Sequence, residues 1–302
     1  MKTFYGENKS PLQILILLFS VCFLGGFLGN IIIFLLLNIQ HLQINSLLNN
    51  LNENSSLEDK KRLVNILAIN HLTTFLLPAL ILLSMLYAHT WTRVVKLTTP
   101  KNIVLLILGL LWLLFSYPLI EWLYSVNKAI PMPDWMIGME ESTNQLVVNL
   151  LSSQDIGLLF LNIIVMAVLP ALGEEMVFRG IVQPNFIKLF KNYHIAIWIT
   201  ALIFSAIHMQ FQGFIPRFVL GAMLGYLSFW TNNLWYPIIA HFVNNSIQVL
   251  VIYYVKKNRI DIDLNNNLEF PTNILIISVF LFLGLGWYFY NNFLRNTKNE
   301  TE

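Results

Sequence analysis

The residues able to do chemistry in this chain are few, and they sit where charge is costly. Glu174-Glu175 follow seventeen almost wholly apolar residues, Asn162 being the main exception, and are followed by Met176-Val177-Phe178 and Arg179. A charged side chain near the centre of a bilayer costs about 2.5 to 3.5 kcal/mol on insertion scales, so each needs a partner or a purpose. On a helix, Glu175 and Arg179 are four apart and share a face, where the guanidinium fork can hold the carboxylate rigidly. Glu174 points about 100° away and is left without that partner, which makes it the candidate general base. Two further four-residue spacings follow, Phe204 with His208 and His241 with Asn245.

Depth connects these motifs. With a turn centred near Lys191, Glu174 lies 17 residues before it and His208 lies 17 after it, level on antiparallel helices. His241 stands nine residues after a turn at Asn232, or about 13 Å into the membrane at 1.5 Å per residue. One Glu, two His and one Asn can therefore converge. A second acidic pair, Glu140-Glu141, lies among Ser, Thr, Asn and Gln and reads as a solvated loop. His41, His71 and His89 have no acidic companion nearby and read as hydrogen-bonding groups between helices or in loops.

The elements that must position these residues are membrane spans. The 302 residues are 56% hydrophobic and 11% charged, with a mean hydropathy of +0.64, against about 25% charged for an ordinary soluble domain. The net charge of +2 gives no basic face, which argues against a nucleic-acid partner. The single cysteine, Cys22, forbids an intramolecular disulfide and a Cys-based zinc site. At about 20 residues per span the chain has room for at most eight or nine spans and none for a soluble catalytic domain.

Eight spans are expected, over 12–37, 63–91, 102–124, 156–190, 194–209, 214–230, 234–255 and 273–293. The first is too long for a signal-peptide core and reads as retained. A polar stretch over 38–62 reads as a solvated loop or short surface helix, and 134–154 as a segment on the membrane surface. Long continuous apolar runs favour helices over transmembrane strands. The fold expected is all-α, a polytopic membrane helical bundle with about eight transmembrane helices. Three regions divide it: 1–155 with about three spans, a core at 156–255 with spans four to seven, and 256–302 with a polar loop and the last helix. Pro170 would bend the helix carrying the glutamates, and Gly221 and Gly225 form a small-xxx-small face for close helix approach. Strict alternation puts nine Lys and Arg on the side of the termini (Lys2, Lys9, Arg93, Lys96, Lys101, Lys188, Lys191, Arg295 and Lys298) and seven on the other. That bias predicts cytoplasmic termini.

In these motifs the chain resembles the CAAX prenyl protease and bacteriocin-processing family of intramembrane proteases. The motifs are Glu-Glu-x-x-x-Arg, Phe-x-x-x-His and His-x-x-x-Asn, and all three stand here in order over residues 156–250. The resemblance implies that Glu174 activates a water with His208 while Glu175 and Arg179 brace the site. It also implies that His241 and Asn245 polarise the scissile carbonyl and hold the developing oxyanion. A zinc ion and a metal-free glutamate mechanism are both open: Glu174, His208 and His241 would supply three ligands with water as the fourth. There is no His-Glu-x-x-His run, and zinc would consume Glu174, leaving Glu175, tied to Arg179, as the only nearby base.

The activity implied is hydrolysis of a peptide bond in a membrane-bound, lipid-anchored or membrane-presented substrate, within the lipid bilayer. Some relatives cleave prenylated substrates and others are associated with bacteriocin processing or immunity. Two competing classes are a catalytically silent immunity or scaffold protein and a proton-coupled transporter. The intact set of Glu174, His208, His241 and Asn245 weighs against the first, and the lack of similarity between the two halves against the second.

Overall fold

The computed structural model describes residues 9–100, 102–260 and 270–299, and all regular structure among them is helical. Lys2, Lys101 and the loop 261–269, used in the expectations above, lie outside the described residues. Helix α1 (Pro11–Ile39) opens with a capping box, in which Ser10 accepts from the Gln13 N–H and Gln13 accepts from the Ser10 N–H. Such reciprocal bonds satisfy two of the donors that every helix start leaves orphaned. The short α2 (Ile44–Asn49) precedes α3 (Leu57–His71), which continues through a π-helical turn at Leu72–Leu76 into α4 (Leu77–Tyr87) and then α5 (Trp91–Val94). Next come α6 (Ile103–Lys128), capped by Asn102, and α7 (Asp134–Leu151).

The fourth apolar stretch is one rod of alternating pitch. It runs through α8 (Ile156–Ile163), a π turn at Ile164–Val168, α9 (Leu169–Glu175), a second π stretch at Met176–Val182 and α10 (Gln183–Phe190). A hairpin of α11 (Tyr193–Ala206) and α12 (Phe214–Thr231) follows, then α13 (Trp235–Lys257) and α14 (Thr272–Asn299). Each of the three π stretches ends two residues before a proline, at Pro78, Pro170 and Pro184. A proline within a helix lacks an N–H and its ring crowds the carbonyl four residues earlier, and the wider π turn makes room for it. Pro170 therefore acts on the glutamate helix through pitch as well as direction.

Seven helical units are long and apolar enough to cross a membrane: Pro11–Ile39, Leu57–Val94, Ile103–Lys128, Ile156–Phe190, Phe214–Thr231, Trp235–Lys257 and Thr272–Arg295. The chain is thus an all-α polytopic membrane bundle, with one correction to the expected eight. Helix α11 is apolar but only 14 residues long, about 21 Å against a hydrocarbon core of about 30 Å. The turns expected at Lys191 and Asn232 are both present, each as a left-handed helix C-cap, with φ of 53° and 50°.

Close packing is set by glycine. A Cβ on Gly25 of α1 would lie 2.1 Å from the Thr73 carbonyl oxygen, and one on Gly225 of α12 would lie 2.8 Å from Gln183 Oε1. Gly221 and Gly225 do form the close-approach face expected of them, against Phe204, Ala201 and Ile197 of α11. On the other side of α12, Trp112 of α6 stacks on Trp230 and on Phe282 and Phe289 of α14, and its indole N–H donates to the Phe282 carbonyl at 2.9 Å.

Two polar expectations need correction. The 38–62 stretch is not wholly solvated: Lys60 is buried and donates to the Glu53 carbonyl at 2.7 Å and to Ser152 Oγ at 2.8 Å. Glu140-Glu141 are not in a loop, and only one of the two is solvated. Both lie on α7, where Glu141 is exposed but Glu140 is 4% exposed, because successive helical residues point in directions about 100° apart.

Candidate active site

The site is assembled from α9, the π stretch after it, the α11–α12 turn and α13. Glu175 and Arg179, four residues apart, form the expected ion pair at 2.8 Å with both side chains fully buried. The second guanidinium nitrogen donates to the Gly221 carbonyl at 2.7 Å, which is reachable because Gly221 brings the α12 backbone close. The guanidinium carbon also lies 4.7 Å from the centre of the Phe204 ring, a cation–π contact strengthened by exclusion of water. Phe204 in turn meets Phe178, His208 and His241 edge-on, at centroid distances of 5.2, 5.0 and 6.1 Å. The aromatic member of the Phe-x-x-x-His spacing is the ring against which the cation and both imidazoles are packed.

Glu174, His208 and His241 come together. His208 Nε2 and His241 Nε2 each lie 3.9 Å from Glu174 Oε2, a buried oxygen with no hydrogen-bond partner. The opposite ring nitrogens are both committed. His208 Nδ1 is 2.7 Å from the Phe204 carbonyl oxygen, which can only accept, so Nδ1 carries the proton. His241 Nδ1 is 2.9 Å from Glu175 Oε1, the oxygen already paired with Arg179, and it too donates. Each neutral imidazole thus presents a lone pair at Nε2 toward a carboxylate oxygen. Three acceptors facing one another need a proton donor or a cation between them.

The magnitudes distinguish these two occupants. A water about 2.8 Å from each of two acceptors 3.9 Å apart subtends about 90°, close to the angle between its own O–H bonds. A zinc ion with bonds of about 2.1 Å to the same two atoms would need an angle of about 136°, far from tetrahedral. Among the described residues no group of three or more His, Cys, Asp or Glu is placed to hold a metal ion. At 3.9 Å the Glu174–His208 and Glu174–His241 pairs are each wider than a tetrahedral zinc would hold them, and each has room for a bridging water.

At three positions the structure shows placements or contacts that the spacing alone did not indicate. His208 is not on the face of α11: the helix ends at Ala206 and His208 lies in the turn beyond, its side chain 27% exposed. Asn245 is on α13 four residues from His241, yet its amide donates to the Met166 carbonyl at 3.3 Å, and its oxygen accepts from Asn244 at 3.1 Å. Met166 lies in the π turn that precedes Pro170. His71 is closer to the site than expected: its Nε2 has no partner and lies 3.0 Å from where a Cβ on Gly173 would be. Nothing local in the sequence marked His71, because its proximity depends on the packing of the Leu72–Leu76 turn against α9.

Reasoning from spacing also missed the residues that shape the turn bearing His208. Asn127 of α6, Glu140 of α7 and Arg217 of α12 all bond to residues 210–215. Gln183, buried, donates to the Gly225 carbonyl at 3.0 Å and locks the second π stretch onto α12.

Comparison with known proteins locates this arrangement. Residues 156–247 match the family model described as type II CAAX prenyl endopeptidase Rce1-like. The chain is also 34% identical over 90 residues to a Bacillus subtilis (strain 168) protein named "Uncharacterized protein YpbD". That similarity covers 28% of this chain and 43% of the relative, so the chain spans less than half of the curated protein it matches. No solved structure matches the chain. The segment of this integral membrane protein that is similar to the Rce1-like model, residues 156–247, is the one that contains Glu174, His208 and His241.

Proposed function

We propose that the chain is an intramembrane endopeptidase that hydrolyses a peptide bond in a membrane-bound, lipid-anchored or membrane-presented peptide. The observation that supports this reading is the convergence of His208 Nε2 and His241 Nε2 on the unpartnered Glu174 Oε2, at 3.9 Å each. A water donating to Glu174 and His208 is oriented by both. Transfer of its proton to Glu174 leaves hydroxide to attack the scissile carbonyl carbon, a general-base step. His241 is backed by Glu175 as the histidine of a catalytic triad is backed by its carboxylate. With a proton taken up from solvent at Nε2 before the attack, and kept there through the cycle, it donates from Nε2 to the oxyanion, with the second N–H of Asn245 as a further donor. When the C–N bond breaks, the amine leaves with the proton that Glu174 took. No step requires a metal ion.

The test is Glu174→Gln and His208→Ala, compared with wild type in cleavage of candidate membrane substrates, with folded yield measured in parallel. Loss of cleavage at normal yield is expected. An unchanged biological effect in both variants would sink the protease reading and favour a silent immunity or scaffold protein. Stoichiometric zinc in the purified protein, with activity lost on chelation, would overturn the metal-free mechanism.

A further inference from the structure

Glu140 lies outside the family-matched segment, on an amphipathic helix, and is nonetheless among the most buried charged groups of the molecule. Its two carboxylate oxygens divide between two consecutive backbone donors, Oε2 accepting from the Gln212 N–H at 2.6 Å and Oε1 from the Gly213 N–H at 3.1 Å. Gly213 is the N-cap of α12, so the carboxylate sits where a helix start exposes unpaired donors and positive potential. Arg217 flanks the same glycine: a Cβ on Gly213 would lie 3.0 Å from its guanidinium and 3.4 Å from Glu140 Oε1. Arg217 also bonds the side chain of Gln210 and, at 3.3 Å, the Gln210 carbonyl. From α6, Asn127 donates to the Phe211 carbonyl at 2.7 Å and accepts from the Ile215 N–H at 3.2 Å.

These bonds surround one short segment, the turn that carries His208. Helix α11 stops at Ala206; beyond it the His208 N–H keeps a long bond of 3.4 Å to the Ser205 carbonyl and its ring a bond to the Phe204 carbonyl, so the 210–213 segment that follows depends on the bonds from α6, α7 and Arg217 for its place. The geometry points to Glu140 as a positioning residue for His208: α7, through this carboxylate, holds the 210–213 turn so that His208 Nε2 faces Glu174. The catalytic arrangement is therefore completed by the first 155 residues and is not confined to 156–247. Glu140 acts through His208 and touches neither the water nor the reacting bond.

This inference rests on the proposed roles of Glu174 and His208, and its test is chosen to fail separately from them. In the purified full-length chain, Glu140→Gln keeps one acceptor oxygen and sets an amide NH2 against a backbone N–H. Since misplacement of a catalytic group by about 1 Å can lower rates about 100-fold, a fall in kcat of about 10- to 100-fold is expected. KM should stay within about twofold, because substrate binding is not altered. Amide hydrogen exchange over 207–214 should quicken while 169–175 stays protected. Glu141→Gln, the exposed neighbour, should match wild type in both measurements. In a His208→Ala background Glu140→Gln should bring no further loss, since the two act through one group.

Wild-type kcat in Glu140→Gln, unchanged exchange over 207–214, or a fully additive loss with His208→Ala would each overturn the proposal. Should Glu140→Gln fail to fold, Asn127→Ser removes the other clamp and must give the same kcat and exchange pattern, wild-type behaviour counting against the proposal. If the wild-type chain cleaves nothing, the protease reading fails and the exchange result alone decides the clamp.

Discussion

His241 donates from Nδ1 to the very oxygen of Glu175 that accepts from Arg179, at 2.9 and 2.8 Å. One carboxylate oxygen thus couples the stability of the buried ion pair to the orientation of a site histidine. The pair cannot be altered without moving the ring that faces Glu174.

Arg179→Ala tests the structural half of that coupling. It leaves Glu175 as a buried charge without its cation, which destabilises by about 3 to 5 kcal/mol. A clear fall in thermal midpoint and folded yield in detergent is expected together with lost activity. Arg179→Lys restores charge but not the forked contact to the Gly221 carbonyl and should recover stability only in part. An Arg179→Ala protein as stable as wild type would remove the bracing role.

Glu175→Gln tests the other half. The amide keeps an oxygen for His241 while removing the counter-charge of an imidazolium, so kcat is expected to fall by about 100- to 10,000-fold with little change in KM. Arg179 retains the Gly221 carbonyl and the Phe204 ring, so folded yield should exceed that of Arg179→Ala. Equal kcat in Glu175→Gln and wild type would show that His241 works without its carboxylate.

Asn245 has a structural bond, to the Met166 carbonyl, that can be separated from catalysis by comparing stability with cleavage. Asn245→Ala removes the donor to the Met166 carbonyl and should destabilise by about 1 to 3 kcal/mol. If Asn245 also stabilises the oxyanion, cleavage per folded molecule falls well beyond the loss of stability. Cleavage lost only in proportion to folded protein would assign Asn245 to structure alone.

Glycine at the α11–α12 contact is predicted to be irreplaceable. Gly225→Ala puts a Cβ 2.8 Å from Gln183 Oε1 and 2.9 Å from Ile197 Cγ2, and overpacking of this kind costs about 1 to 3 kcal/mol. Gly138→Ala on α7 meets nothing within 4 Å and should raise stability by about 0.5 to 1 kcal/mol through helix propensity. Thermal midpoints of the two variants check the contrast; a neutral Gly225→Ala would mean that the helices are not in contact there.

What could be determined from the sequence was local or compositional. Hydropathy over some 20 residues reports whether a helix can live in lipid, because the cost of burying charge is paid residue by residue. Hence the spans, the turns at Lys191 and Asn232, and the Glu175–Arg179 pair were legible, the last because four-residue spacing places both on one helix face. The meeting of Glu174, His208 and His241 followed from counting residues to the turns on antiparallel helices. Tertiary structure alone decided the rest. Which nitrogen of each imidazole carries the proton depends on the Phe204 carbonyl and on Glu175, the latter 66 residues from His241. Asn245 answers a carbonyl 79 residues away, and Glu140 holds backbone donors 72 and 73 residues ahead. Hydrogen bonds form between groups that folding brings within about 3 Å, and a motif of four residues contains no record of that distance.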